Sequence, residues 1–219
     1  MMRMISLWAG SLLACTCVLA QAVSSPPPNP PGTPPAARSL PRDQHEGLTV
    51  SADSYTDPAR AKEKFGKANP LPVGILPVDV SLHNDTSQPI RINLNAIRLV
   101  VHFPDGRHQD IEWLAAEDVA GAVAHPSGSP TPHAPRFPIG VRGGTDNKAE
   151  KLADLLQPLA LDADIVPPMA TIHGFLFFDL GRDVSLARDA SLYLPEATIL
   201  PSKQALMFFE VFLGTPPQP

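Results

Sequence analysis

Residues 73–113 read VGILPVDVSLHNDTSQPIRINLNAIRLVVHFPDGRHQDIEW, and their alternation leaves the chain few ways to fold. Val78, Val80 and Leu82 alternate with Asp79, Ser81 and His83, and Ile90, Ile92 and Leu94 resume the period of two beyond Asn84-Asp85-Thr86-Ser87. That period places alternate side chains on opposite faces of a half-buried strand, and the polar run between supplies a turn. A third run, residues 97–103, leads into Pro104-Asp105-Gly106. Proline presets φ for the first turn position there, and glycine accepts the left-handed conformation of a bulge. A three-residue turn pairs Phe103 with Arg107 and opposes Val101 to Gln109, Leu99 to Ile111 and Ile97 to Trp113. The stretch predicts consecutive antiparallel strands.

More strands are expected on either side: residues 48–52, 169–180, 190–194 and 204–213, about eight in all with turn signals between them. Short helices interrupt them. Asp57-Pro58 has an N-cap and a proline at the first helical position, Gly66 is the stop, and Phe65 is the anchor. Residues 114–123 are Ala-rich and read as helix. Asn147 to Glu150 reads as a capping box ahead of Leu152, Leu155 and Leu156, with Pro158 ending that helix near Leu156. The fold class is therefore mainly β: an antiparallel β-sandwich of immunoglobulin type with short helical insertions. Val78, Val80, Leu82, Ile90, Ile92, Leu99, Val101, Met207, Phe209 and Val211 are its expected core. Residues 204–213 are apolar on both faces, which predicts that the Leu152 to Leu156 helix covers the face carrying Leu206, Phe208 and Phe212; the alternative is a protein-binding patch.

The ends have a different character. Residues 1–22 combine Arg3, an apolar run too short to span a bilayer with polar ends, and the small-x-small pattern Ala20-Gln21-Ala22, which reads as an export signal cleaved after Ala22. Leu12-Leu13-Ala14-Cys15 also resembles a lipoprotein box, so lipidation at Cys15 is the competing reading. Both place the protein outside the cytoplasm, periplasmic or secreted. Many of the 27 prolines crowd into residues 24–41 and the terminus. Residues 23–45 are read as a proline-rich linker, 46–213 as the folded domain and 214–219 as a tail. Cys15 and Cys17 are the only cysteines, so the mature domain has neither a disulfide framework nor a thiolate metal site.

Residues 76–90, from Leu76-Pro77-Val78 through Asn84-Asp85-Thr86-Ser87-Gln88-Pro89-Ile90, resemble exported bacterial immunoglobulin-like β-sandwich proteins, including telokin-like and related lipoprotein domains. In those, an alternating strand ends in Asn, followed by Ser/Thr and then Pro. Gly174-Phe175-Leu176-Phe177-Phe178-Asp179 and Leu192-Tyr193-Leu194-Pro195 are similar to their closing strands. The resemblance implies fold and compartment and carries over no catalytic residue.

No nucleophile elbow, phosphate loop, dinucleotide fingerprint or zincin helix is written in the chain. Ser127-Gly128-Ser129 sits in a proline-rich loop, and Gly140-Val141-Arg142-Gly143-Gly144 lacks the Lys-Ser/Thr of a phosphate loop. Asn84-Asp85-Thr86 matches a glycosylation sequon but reads as a turn whose Asn caps the strand end. Asp110/Glu112 and Asp162/Asp164 are acidic pairs spaced by two, read as solvated strand faces. The net charge of −5, with scattered Lys and Arg, excludes a phosphate-tracking surface and with it nucleic acid as a partner. The expectation is an exported, monomeric, non-catalytic module, binding or structural, with no cofactor and with an envelope protein or ligand as its partner. Membrane contact is expected only through lipidation at Cys15. The alternatives are an enzyme of unknown class and a divalent metal-binding module. For the last, the predicted register opposes His102 to His108 with Asp110 on the same face, two imidazoles and a carboxylate of the kind that hold zinc or copper.

Overall fold

The computed structural model describes residues 40–126 and 147–214. The readings of the export signal, of residues 23–39, of the two loop fragments around Ser127 and Gly140, and of the terminal prolines fall outside them. In chain order the strands are β1 (Arg42–His45), β2 (Leu48–Ser54), β3 (Ile75–Asn84), β4 (Ile90–Ile92), β5 (Arg98–His102), β6 (His108–Leu114), β7 (Ile165–Val166), β8 (Ala170–Asp179), β9 (Ala190–Leu194), β10 (Ala197–Ile199), β11 (Gln204–Ala205) and β12 (Phe209–Phe212). The helices are α1 (Pro58–Phe65), α2 (Ala116–Ala124) and α3 (Asn147–Leu156). The protein is mainly β, with antiparallel sheets and a few short helices. Eight strands form one sheet in the order β1-β2-β3-β8-β6-β5-β9-β12, and β11-β10-β4-β7 form a second. The large sheet curls until β1 lies against β12, so it is a nearly closed barrel-like curl.

Local chemistry explains several element ends. Asp57 caps α1 by accepting from the Ala59 N–H at 2.9 Å, and Gly66 ends it at a positive φ of 55°. α3 ends at Leu156, two residues before Pro158. The 104–106 turn has the expected form: the Gly106 N–H donates to Phe103 O at 3.0 Å, the Phe103 N–H to Arg107 O at 2.9 Å, and Gly106 has φ 83°. Its register places Val101 opposite Gln109 and Leu99 opposite Ile111. Asn84 is fully buried; its Nδ2 donates to the carbonyls of Gln88, Val166 and Pro167, and its Oδ1 accepts from the Thr86 N–H and hydroxyl. It caps the turn with its amide wholly used.

Three expectations are corrected. β1 lies within the stretch read as linker: Arg-Asp-Gln-His has no apolar alternation, and the turn that folds it back onto β2 is Glu46-Gly47, both at positive φ. Residues 204–213 are two strands, because β11 pairs with β10 in the small sheet while β12 pairs with β9 in the large one. The break at residues 206–208 turns Met207 out of the expected core to 64% exposure; the other nine expected core residues are buried. Finally, α3 packs on α2, with Leu152 and Leu156 buried and Leu155 54% exposed, and leaves Phe208 and Phe212 exposed. The reason is α2, whose Val119 and Ala120 offer a fully buried apolar surface to the helix instead.

Candidate functional site

The large sheet is uneven in its pairing. β3 and β8 share ten paired residues, whereas β6 meets β8 only at Trp113–Phe178 and Leu114–Phe177. Beyond that short joint the edge of β8 is taken by the strap that follows α3: Ala160 bridges Phe175, and the Leu161 N–H donates to Phe175 O at 3.0 Å. The strap fits because residue 174 is glycine; a Cβ there would stand 2.7 Å from the backbone of Leu161.

A cleft of about 400 Å³ opens beside this joint, between residues 92–95, residues 113–117 and the strap. Its floor is apolar, formed by the buried Ile92, Ala116 and Leu161 with the partly buried Leu94 and Trp113. The indole is fixed, its Nε1–H donating to Leu94 O at 2.9 Å. Three exposed carboxylates, Glu117, Asp162 and Asp164, stand among the lining residues, which include no Lys, Arg or His. Arg91 reaches Asp164 at 3.9 Å, with both side chains more than half exposed. Asp162 and Asp164, read from the sequence as a solvated strand face, thus belong to a concave surface. Their spacing was visible; the cleft that sets them beside two distant segments was not.

The metal candidates lie elsewhere, on the outer face of β5 and β6. His102 is paired with His108, and Asp110 with Val100, as the turn requires. The His102 ring turns towards β9 and β12: Nε2 is 3.1 Å from Ser191 Oγ and 3.7 Å from Glu210 Oε1. The described residues contain no group of three or more His, Cys, Asp or Glu side chains that could hold a metal ion. Ser191 donates its hydroxyl proton to Glu210 at 2.7 Å, so it accepts from His102 and, being fully buried, is closed to a substrate.

A second histidine group was missed altogether, because Thr171 lies 88 residues from His83 in sequence. His83 and Thr171 are paired across β3 and β8; Thr171 Oγ1 is 2.7 Å from His83 Nδ1, and His83 Nε2 is 2.9 Å from Asp85 Oδ1. Since the carboxylate takes the Nε2–H, Nδ1 is left to accept the hydroxyl proton. This is the order of hydroxyl, imidazole and carboxylate that activates a nucleophile. Thr171 and Asp85 are exposed and His83 is partly so, on an open sheet face where water competes for each bond.

A charged group borders α1. Asp79 is opposite Asp53, whose carboxylate binds Arg60 through both oxygens and holds the guanidinium charge more firmly than usual. Burial pushes the Asp79 carboxyl above its ordinary range, against the opposing pull of His173 and Lys64.

No family model matches the sequence, and no curated protein does. Among solved structures the chain is similar to the crystal structure of a functionally unknown protein from Listeria monocytogenes EGD-e, over 70% of each chain, at 14% identity and a TM-score of 0.33. A likeness of that degree supports no statement about fold or function. No helix among the described residues is long and apolar enough to cross a membrane.

Proposed function

We propose that the protein is an exported, non-catalytic binding module whose ligand sits in the cleft beside the β6–β8 joint. The observation that carries this reading is the cleft itself: a concave apolar floor ringed by a few polar groups, within the size range of small-molecule sites. Extracytoplasmic placement rests on the pattern of residues 1–22, and an immunoglobulin-like lineage on the strand-and-turn motif of residues 76–90. The test is a thermal-shift screen of the full chain against a chemically mixed panel of small molecules. Binding raises the melting temperature by mass action. A panel in which no compound shifts it, or in which every shift survives Leu161→Glu in the cleft floor, overturns the reading.

Two other readings each have one observation in favour. The order of Thr171, His83 and Asp85 favours a hydrolytic activity; ester turnover lost in Thr171→Val would establish it, and turnover equal to buffer would end it. The register that opposes His102 to His108 favours metal binding, with Asp110 on the same face. Zinc and copper titrations decide that case, since affinity unchanged in the His102→Ala, His108→Ala double variant removes the pair.

A further inference from the structure

The chemistry of the cleft also selects among ligands. We propose that it takes a small organic cation with an apolar body, of the arylalkylamine kind; this rests on the binding reading above and adds the ligand class to it. The apolar part is set by the floor: Ile92, Leu94, Trp113, Ala116 and Leu161 offer contact and no charge. The sign is set by the lining, where Glu117, Asp162 and Asp164 are the charged residues and all carry the same charge. The Arg91 contact at 3.9 Å, between exposed groups, is too weak to commit Asp164. Like charges around a low-dielectric concavity focus their field into it and raise the local concentration of cations. An indole adjoining the same space adds its ring quadrupole, which attracts ammonium and quaternary ammonium groups. A carboxylate-bearing ligand of the same shape meets three repulsions there. A neutral one gains the floor and forgoes the lining.

Trp8 and Trp113 are the two tryptophans of the chain, so the full chain carrying Trp8→Phe reports on the cleft through Trp113 emission alone. Phenethylamine, 3-phenylpropan-1-ol and 3-phenylpropionate are matched probes of positive, neutral and negative charge. The expected result is saturable perturbation by phenethylamine, at least fivefold tighter than the alcohol, with the propionate weakest. That preference should shrink severalfold from 20 to 500 mM salt, as screening of exposed charges requires. It should vanish in the Glu117→Gln, Asp162→Asn, Asp164→Asn variant, whose exposed sites leave the melting temperature nearly unchanged. Equal or tighter binding of the alcohol or propionate overturns the cation while leaving the cleft as a binding site. Silence of Trp113 towards all three overturns the cation, and the mixed-panel screen then decides separately whether the cleft binds anything.

Discussion

The curled sheet lacks a full backbone ladder at two places, the β6–β8 joint and the β12–β1 seam, and the two are completed by opposite means. At the joint, two residue pairs are followed by a strap whose backbone takes the edge of β8, and the remaining space is the apolar cleft. At the seam, side chains of β1 and its turn stand in for a ladder. Asp43 accepts from the Glu210 N–H at 3.0 Å, Glu46 from the Met207 N–H at 2.8 Å, and His45 Nε2–H donates to Phe208 O at 3.0 Å while its ring stacks on Phe209 at 3.8 Å. Backbone groups that would cost free energy if left bare are satisfied in both places. The seam spends its polar groups on itself, whereas the joint leaves carboxylates facing a concavity; closure and binding are thus assigned to different gaps in one wall.

The most severe way to break the seam is Phe209→Ala, which removes a fully buried ring and the platform under His45. A loss of about 3–5 kcal/mol is expected, from transfer energy plus the cavity left behind, measured by urea unfolding. Gly174→Ala attacks the joint. Its Cβ must displace the backbone of Leu161, which should cost about 1–3 kcal/mol and shift Trp113 emission as the strap moves off the cleft. The same substitution at an open glycine inside α2, Gly121→Ala, meets no neighbour; it should leave Trp113 emission unchanged and raise stability by about 0.5–1 kcal/mol, so that a loss at residue 174 reports the steric effect. Asp43→Ala with Glu46→Ala should cost about 1–2 kcal/mol together, since two amides lose acceptors at a partly exposed site, and the cleft should be indifferent. The smallest effect lies away from both gaps. Because the folded Asp79 carboxyl is raised, the native state holds its proton to higher pH than the unfolded chain does. Asp79 therefore favours the fold at low pH, and stability falls as pH rises from its unfolded value near 3.8 through the raised folded one. Asp79→Asn should flatten that part of a stability–pH curve and leave the neutral protein equally or slightly more stable.

The sequence was most readable where physics is local. The turn at residues 104–106, the α1 caps and the Asn84 turn all follow from residues within a few positions of one another. The alternation of residues 78–82 and 90–92 likewise placed its apolar members in the core. β1 was hidden because its side chains are polar, as a seam made of side chains requires. The two-sided run of residues 204–213 resembled one central strand because periodicity does not reveal that its halves pair with different sheets. The cleft depends on three segments meeting beside Gly174, and the Thr171–His83 contact on a ladder joining residues 88 apart. Composition and spacing carry neither.

The placement of the small sheet has a consequence for how the molecule opens. β4 lies in sequence between β3 and β5, β7 between β6 and β8, and β10 and β11 between β9 and β12, so the chain leaves the large sheet for the small one and returns three times. No single cut separates the two sheets, and freeing any strand of the small one pulls on large-sheet strands at both of its ends. Amide protons of the small sheet, short as its strands are, should therefore exchange with solvent chiefly through openings that involve the large sheet as well, and a protease would find few intermediate states to trap.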